Sequence, residues 1–101
     1  MARLEVSDFA ESDLADIYNA ILITNGEALA ERILQRMGSA IDRLRDFPES
    51  GRTYVRLTGE SLRVLPVERW IVVYRFDGET ALVLRVVDAA TELSQVRLEE
   101  T

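Results

Sequence analysis

The chain has 101 residues, a formal net charge of −6 and a hydrophobic content of 48%, enough for one core and too apolar for extended disorder. It contains no cysteine and no histidine, which excludes disulfides, thiol nucleophiles, Ser–His triads and thiolate or imidazole metal sites. All twelve basic residues are arginine; the acidic balance gives no long-range pull toward nucleic acid, whereas arginine suits bidentate contacts with carboxylates at an interface.

Residues 3–6 alternate as a short edge strand would. Ser7 is placed to cap a helix, and Asp8 and Glu11 suit its positive end. Ala10, Leu14, Ile17, Tyr18 and Ile21 then recur at helical spacing and predict a buried stripe, with Glu11, Asp13 and Asp16 read as solvated charges on the wet face. Thr24-Asn25-Gly26 breaks the pattern. A second helix is predicted from about Glu27 to Asp46, its inner face Ala30, Ile33, Met37, Ile41 and Leu44 and its outer face rich in charge. The short link between the two favours an antiparallel hairpin, which Pro48 and Gly51 end.

Residues 52–61 are aperiodic and read as a loop with some extended character. Beyond them, Leu62 to Val87 reads as a three-stranded antiparallel meander. Asp77-Gly78 signals a two-residue hairpin, which would oppose Tyr74 to Ala81, Val72 to Val83 and Trp70 to Arg85. That register puts Ile71, Val73, Leu82, Leu84 and Val86 on one face, expected against the helices. Trp70, Val72, Tyr74, Phe76, Val83 and Arg85 fall on the other. A tight turn at Val67-Glu68 would add Arg63 to this second face, opposite Val72, and an exposed face of that kind marks a binding surface. Thr91 to about Leu98 is expected to form a last short helix capped by Thr91, and Glu99 to Thr101 to fray.

The fold expected is therefore α+β, a single domain over residues 1–101 in the order β-α-α-β-β-β. It comprises a short N-terminal strand, an antiparallel helical hairpin, an antiparallel meander and a short C-terminal helix. There is no Gly-rich phosphate loop and no metal-spaced cluster, so neither metal nor cofactor is expected. No apolar run resembles a signal peptide or approaches the roughly 18 residues of a membrane span, and a cytoplasmic location is expected. Arg52, Arg56 and Arg63 gather at the entry to the sheet. Trp70, Tyr74 and Phe76 could stack on bases, bury against a partner, or pack against the loop and the C-terminal tail.

Several of these residues, in this order, resemble the ParE/RelE superfamily of toxins from bacterial type II toxin–antitoxin systems. They are Ser7, Ala10, Asp13-Leu14 and Ile17; Ile41, Leu44, Pro48 and Gly51-Arg52; Leu62-Arg63; Trp70 to Arg75; and Leu84-Arg85-Val86-Val87. The RelE-like branch of that superfamily cleaves messenger RNA on the ribosome without a metal. It uses a sheet arginine, a later arginine and a tyrosine at positions that here hold Ile71, Ala90 and Val96. With those groups missing, nothing at these positions can stabilise phosphorane charge or move a proton.

The ParE-like branch is the nearer resemblance, through the long hairpin, Leu62-Arg63 and Tyr74-Arg75. It implies a non-enzymatic inhibitor of DNA gyrase, associated with plasmid stabilisation. Its partner would be a ParD-like antitoxin in a hetero-oligomer, with no direct DNA binding and no membrane contact. The expected partner-facing residues are Arg63, Trp70, Tyr74, Arg75 and Arg85, with Arg52 and Arg56 at the rim. Where that branch ends its last strand with a histidine followed by a basic group, this chain has Asp88 and then Ala89-Ala90. A ribosome-dependent ribonuclease and an attenuated toxin acting as an antitoxin-binding corepressor are the alternative readings.

Overall fold

The computed structural model describes residues 1–56 and 58–98. Its elements are β1 (Arg3–Val6), α1 (Asp8–Asn25), α2 (Glu27–Asp42), β2 (Arg52–Val55), β3 (Ser61–Val67), β4 (Trp70–Phe76) and β5 (Thr80–Asp88). The expected α+β order is present, with an additional strand, β2, taken from the stretch read as a loop. The α2 helix runs on as one 3-10 turn at Arg43–Arg45, and the expected C-terminal helix is a single 3-10 turn at Leu93–Gln95. Glu92, not Thr91, caps that turn, its side chain accepting from the Ser94 N–H. The fraying expected of the last three residues lies outside the described residues. Among those described, no helix is long and apolar enough to cross a membrane.

Ser7 starts α1 as expected, its Oγ accepting from Ala10 N at 3.0 Å and so satisfying one of the free amides of the first turn. Gly26 serves both helices. Its amide closes α1 onto the Ile21 and Leu22 carbonyls, and its φ of 92° lets the chain turn straight into α2.

The five strands form one mixed sheet in the order β1-β5-β4-β3-β2, with β1 parallel to β5 and the other pairs antiparallel. The hairpin register differs from the expected one. Phe76 pairs Ala81 and Tyr74 pairs Val83, because Asp77 does not form a two-residue turn. Its Oδ1 instead accepts the Glu79 and Thr80 amides at 2.8 Å each, which lengthens the loop. Past Tyr74 a β-bulge shifts the pairing again, so that Val73 faces Arg85 and Val72 faces Val86. The preceding turn lies at Glu68-Arg69, since Val67 pairs Trp70, and this sets Arg63 opposite Tyr74, not Val72.

Apart from Val86, which lies toward the helices as expected, the face assignment is inverted relative to the sequence reading. Val72, Tyr74, Ala81, Val83 and Val86 pack with Ala10, Ala30, Met37 and Leu44, with Trp70 and Phe76 at the margin. The aromatic face is thus the one beneath the hairpin, where Ala10 of α1 and Ala30 of α2, each fully buried, leave room for large rings. The aliphatic face is covered too. Leu62, Val64, Val73 and Leu84 there pack against Tyr54, Leu93 and Leu98, so the tail closes the side that a one-layer reading leaves to solvent.

Candidate partner-binding surface

Arg63 and Tyr74, cross-strand neighbours on β3 and β4, both hold the loop that follows α2. The Tyr74 hydroxyl donates to Pro48 O at 2.9 Å and accepts from Gly51 N at 2.8 Å. Arg63 Nη1 donates to Glu49 O at 3.1 Å and Gly51 O at 2.9 Å, with Nη2 3.6 Å from the Glu49 carboxylate. Gly51 fits only because it lacks a side chain: a Cβ there would lie 2.7 Å from Tyr74 Oη. Tyr74 is fully buried. Its expected place on a partner-facing surface is therefore corrected, because its ring fills the core and its hydroxyl fixes a loop.

Arg85 lies at the bulge of β5. Its Nε and Nη2 donate to Asp13 Oδ2 and Oδ1 at 2.8 and 3.0 Å, and its Nη1 donates to Arg97 O at 2.7 Å. Its guanidinium also stands 5.4 Å from the Phe9 ring centre. The hydrogen bond to Asp13 raises the Arg85 pKa further above its ordinary range, so it stays charged at any physiological pH. Asp13 also accepts from Val86 N at 2.9 Å, while Ser7 Oγ donates to Leu84 O at 2.9 Å. With β1 paired only as far as Val83, Asp13 of α1 and its N-cap Ser7 satisfy backbone groups further along β5.

Asp13 is thus not a solvated surface charge. The signal was available, since Asp13 falls three residues after Ala10 and four before Ile17, within the apolar stripe itself.

The remaining arginines of the set are distributed over two sides. Arg56 is largely buried, with Nη2 donating to Ser94 O at 3.1 Å and Nη1 3.8 Å from Glu60. Its Nε has no hydrogen-bond partner among the described residues. Arg75 is half exposed and reaches Glu60 at 3.3 Å. Arg52 is exposed on the outermost strand. Trp70 is partly exposed beside the β3–β4 turn, with the Arg69 guanidinium 5.4 Å from its ring centre.

Asp88, opposite Trp70, accepts from Ala90 N at 2.9 Å and pairs with Arg69 at 3.2 Å. The Ala90 amide, then Arg69, holds its carboxyl below the usual range. So the Asp88-Ala89-Ala90 ending is a closed turn. The three positions that the RelE-like resemblance singles out carry neither a basic nor a phenolic group. Ile71 packs on the tail-covered sheet face, Ala90 sits in the turn, and Val96 is buried. Among the described residues no three acidic side chains converge as a metal site requires.

The sequence matches the family model described as the ParE toxin of the type II toxin–antitoxin system parDE over residues 4–93. The chain belongs to the ParE toxin family. Toxin ParE3 of Caulobacter vibrioides is 34% identical over 94 residues, covering 93% of each chain. A chain of a chromosomal ParDE toxin–antitoxin structure from P. aeruginosa superimposes with a TM-score of 0.72. That match covers 87% of this chain and 96% of the other at 22% identity, a likeness of fold. The matched segment takes in β1 except for Arg3, the whole hairpin and the meander, and of the tail residues on the aliphatic face Leu93 is its last residue while Leu98 lies past its end.

Proposed function

We propose that this ParE-family toxin acts by binding, not by catalysis: it inhibits DNA gyrase in the cytoplasm and is neutralised by a ParD-like antitoxin in a hetero-oligomer. The observation that carries the non-catalytic reading is the engagement of the sheet arginines. Arg56 and Arg63 donate to main-chain carbonyls, Arg75 meets Glu60 and Arg85 is clamped by Asp13. A guanidinium already committed to a carboxylate cannot stabilise a developing phosphorane without first giving up that partner. The absence of histidine removes the usual neutral-pH proton carrier as well. Of the residues expected to face the antitoxin, Arg52 and Arg75 are exposed and Trp70, Arg63 and Arg85 partly exposed, and exposure of this kind is what supports a role in meeting it.

The test is expression with and without a ParD-type antitoxin, followed by growth, gyrase supercoiling and message integrity. Growth arrest with lost supercoiling and intact messages supports the proposal; message cleavage replaces it with a ribonuclease. The closed turn at Asp88 gives a specific reason to keep the corepressor reading, in which the chain binds antitoxin and arrests nothing.

A further inference from the structure

The two helices of the hairpin are joined through one residue. Asn25 ends α1, Glu27 begins α2, and Gly26 stands alone between them. Asn25 is exposed. Its carboxamide carbon and the Gly26 main-chain nitrogen are the two atoms that join when an asparagine before a glycine loses its amide. Glycine obstructs that reaction least, since no side chain shields its nitrogen, and a Cβ on Gly26 would meet nothing within 4 Å. The Thr24 hydroxyl, shared with Ala20 O at 2.8 Å, also stands 2.8 Å from Asn25 Oδ1. Donating there, it meets the oxygen on which negative charge gathers when the carboxamide carbon is attacked.

The same junction holds the reaction back. The Gly26 N–H donates to the Ile21 and Leu22 carbonyls at 3.2 and 3.1 Å, the bonds that close the last turn of α1. A peptide nitrogen is a nucleophile only after it loses its proton, because its lone pair is otherwise delocalised into the carbonyl. An N–H shared by two carbonyls keeps that proton. Ring closure also requires Asn25 to leave the helical ψ that its place in α1 imposes. Both restraints are lost in one event, the opening of the last turn of α1. Asn19, the chain's other asparagine, lies inside α1 and precedes Ala20, so it has neither the bare nitrogen nor the freedom of a helix end.

We propose that Asn25-Gly26 is a deamidation site gated by the hairpin. In the opened turn the deprotonated Gly26 nitrogen bonds to Asn25 Cγ, the Cγ–Nδ2 bond breaks, and ammonia leaves with a proton from solvent. One water then opens the succinimide. Addition at Cγ breaks the Cγ bond to Gly26 N and gives aspartate. Addition at the Asn25 main-chain carbonyl carbon breaks that carbon's bond to Gly26 N and gives isoaspartate.

Either product sets a carboxylate beside the carbonyls that end α1, the negative end of the helix. Isoaspartate also adds a carbon to the main chain at a one-residue link, so the Gly26 N–H no longer reaches the Ile21 and Leu22 carbonyls together. The product thus keeps open the turn whose opening allowed it, a one-way mark on a chain whose hairpin has opened.

The test incubates the full chain in mildly alkaline buffer, native and in unfolding urea. Mass spectrometry follows the tryptic peptide of residues 4–32, with fragmentation assigning any amide-to-acid mass gain to Asn19 or Asn25. Hydrogen exchange at the Gly26 amide is measured alongside by NMR. The gain is expected at Asn25 before Asn19, and about tenfold or more faster in urea than in the native chain. Across sub-denaturing urea, deamidation and Gly26 exchange are expected to accelerate by the same factor.

The isolated isoaspartate form is expected to show about tenfold or more faster Gly26 exchange than Asn25→Asp, which carries the charge without the extra carbon. An unchanged melting curve confirms that Asn25→Asp, at an exposed position, is folded. Equal deamidation in native and unfolded chain, a rate that stays flat while Gly26 exchange accelerates, earlier gain at Asn19, or an isoaspartate form as protected at Gly26 as Asn25→Asp would each overturn the proposal.

Discussion

Arg85 and Asp13 form a two-pronged ion pair, at 2.8 and 3.0 Å, that joins the last strand to the first helix across most of the sequence. The same carboxylate takes the Val86 amide, and the same guanidinium takes the Arg97 carbonyl. One pair therefore fixes α1, the bulge of β5 and the tail relative to one another.

Asp13→Ala strands a mostly buried guanidinium and a backbone amide together. The expected loss is about 2–4 kcal/mol, the usual cost of leaving one partner of such a pair uncompensated. Asp13→Asn keeps an acceptor and is expected to lose less. Urea unfolding measures both, and an alanine variant within about 0.5 kcal/mol of wild type would show that the pair is only a surface contact.

Gly51→Ala is expected to cost about 1–3 kcal/mol, because the new methyl meets a Tyr74 ring held on all sides by the core. Tyr74→Phe frees the Pro48 carbonyl and the Gly51 amide, at about 1–3 kcal/mol. Since both changes act on the same contact, the double variant is expected to fall short of the sum of the singles. Additive losses in thermal melts would argue that the loop is held elsewhere.

The two helices and strands β1, β3, β4 and β5 were legible because their apolar periods are regular, whereas β2 lies in an aperiodic stretch that reads as a loop; Ser7 and Gly26 are residues whose conformational roles can be read directly. The sheet faces were not. A strand period gives two sets of residues but not which set is inside, and here both faces are covered. The Ile71, Val73, Leu82 and Leu84 set looked like the helix-facing side because it is wholly aliphatic. It lies under the tail instead, since the buried alanines of the hairpin make room for Trp70, Tyr74 and Phe76. Asp77-Gly78 misled for a second reason: the Asp77 carboxylate captures two amides and enlarges the turn, which moves the register by a side-chain choice that spacing cannot show. Of the site, the arginines were visible as a set, but their partners Asp13, Glu60 and the Ser94 and Gly51 carbonyls depend on that register.

Acid should act on two turns specifically. The Thr80 and then the Glu79 amide hold the Asp77 carboxyl below its ordinary range, and the Ala90 amide, then Arg69, does so for Asp88. A carboxyl depressed in the folded state stabilises it above its unfolded pKa, near 4, and loses that contribution as pH falls through the lower folded value. Stability from these turns is therefore expected to be level from pH 7 to about 5 and to decline below about 4. Side-chain carboxyl titration by NMR is expected to give midpoints for both residues below the ordinary aspartate value of about 4. Midpoints at or above that reference would contradict the turn geometry.

Removing the residues after Ala90 should uncover Leu62, Val64, Val73 and Leu84, which the tail helps to bury. The shortened chain is expected to bind a hydrophobic dye and to self-associate at concentrations where the full chain is monodisperse. Unchanged dye binding and sedimentation would mean that the tail does not shield this face.

The central claim is inhibition by binding, without chemistry on nucleic acid. Its most direct measurement is a supercoiling assay with purified gyrase, relaxed plasmid and the purified chain, run beside a ribosome-programmed message-cleavage assay. Loss of supercoiling that is restored by antitoxin, with the message intact, is the expected result; a cleaved message with supercoiling untouched would contradict it.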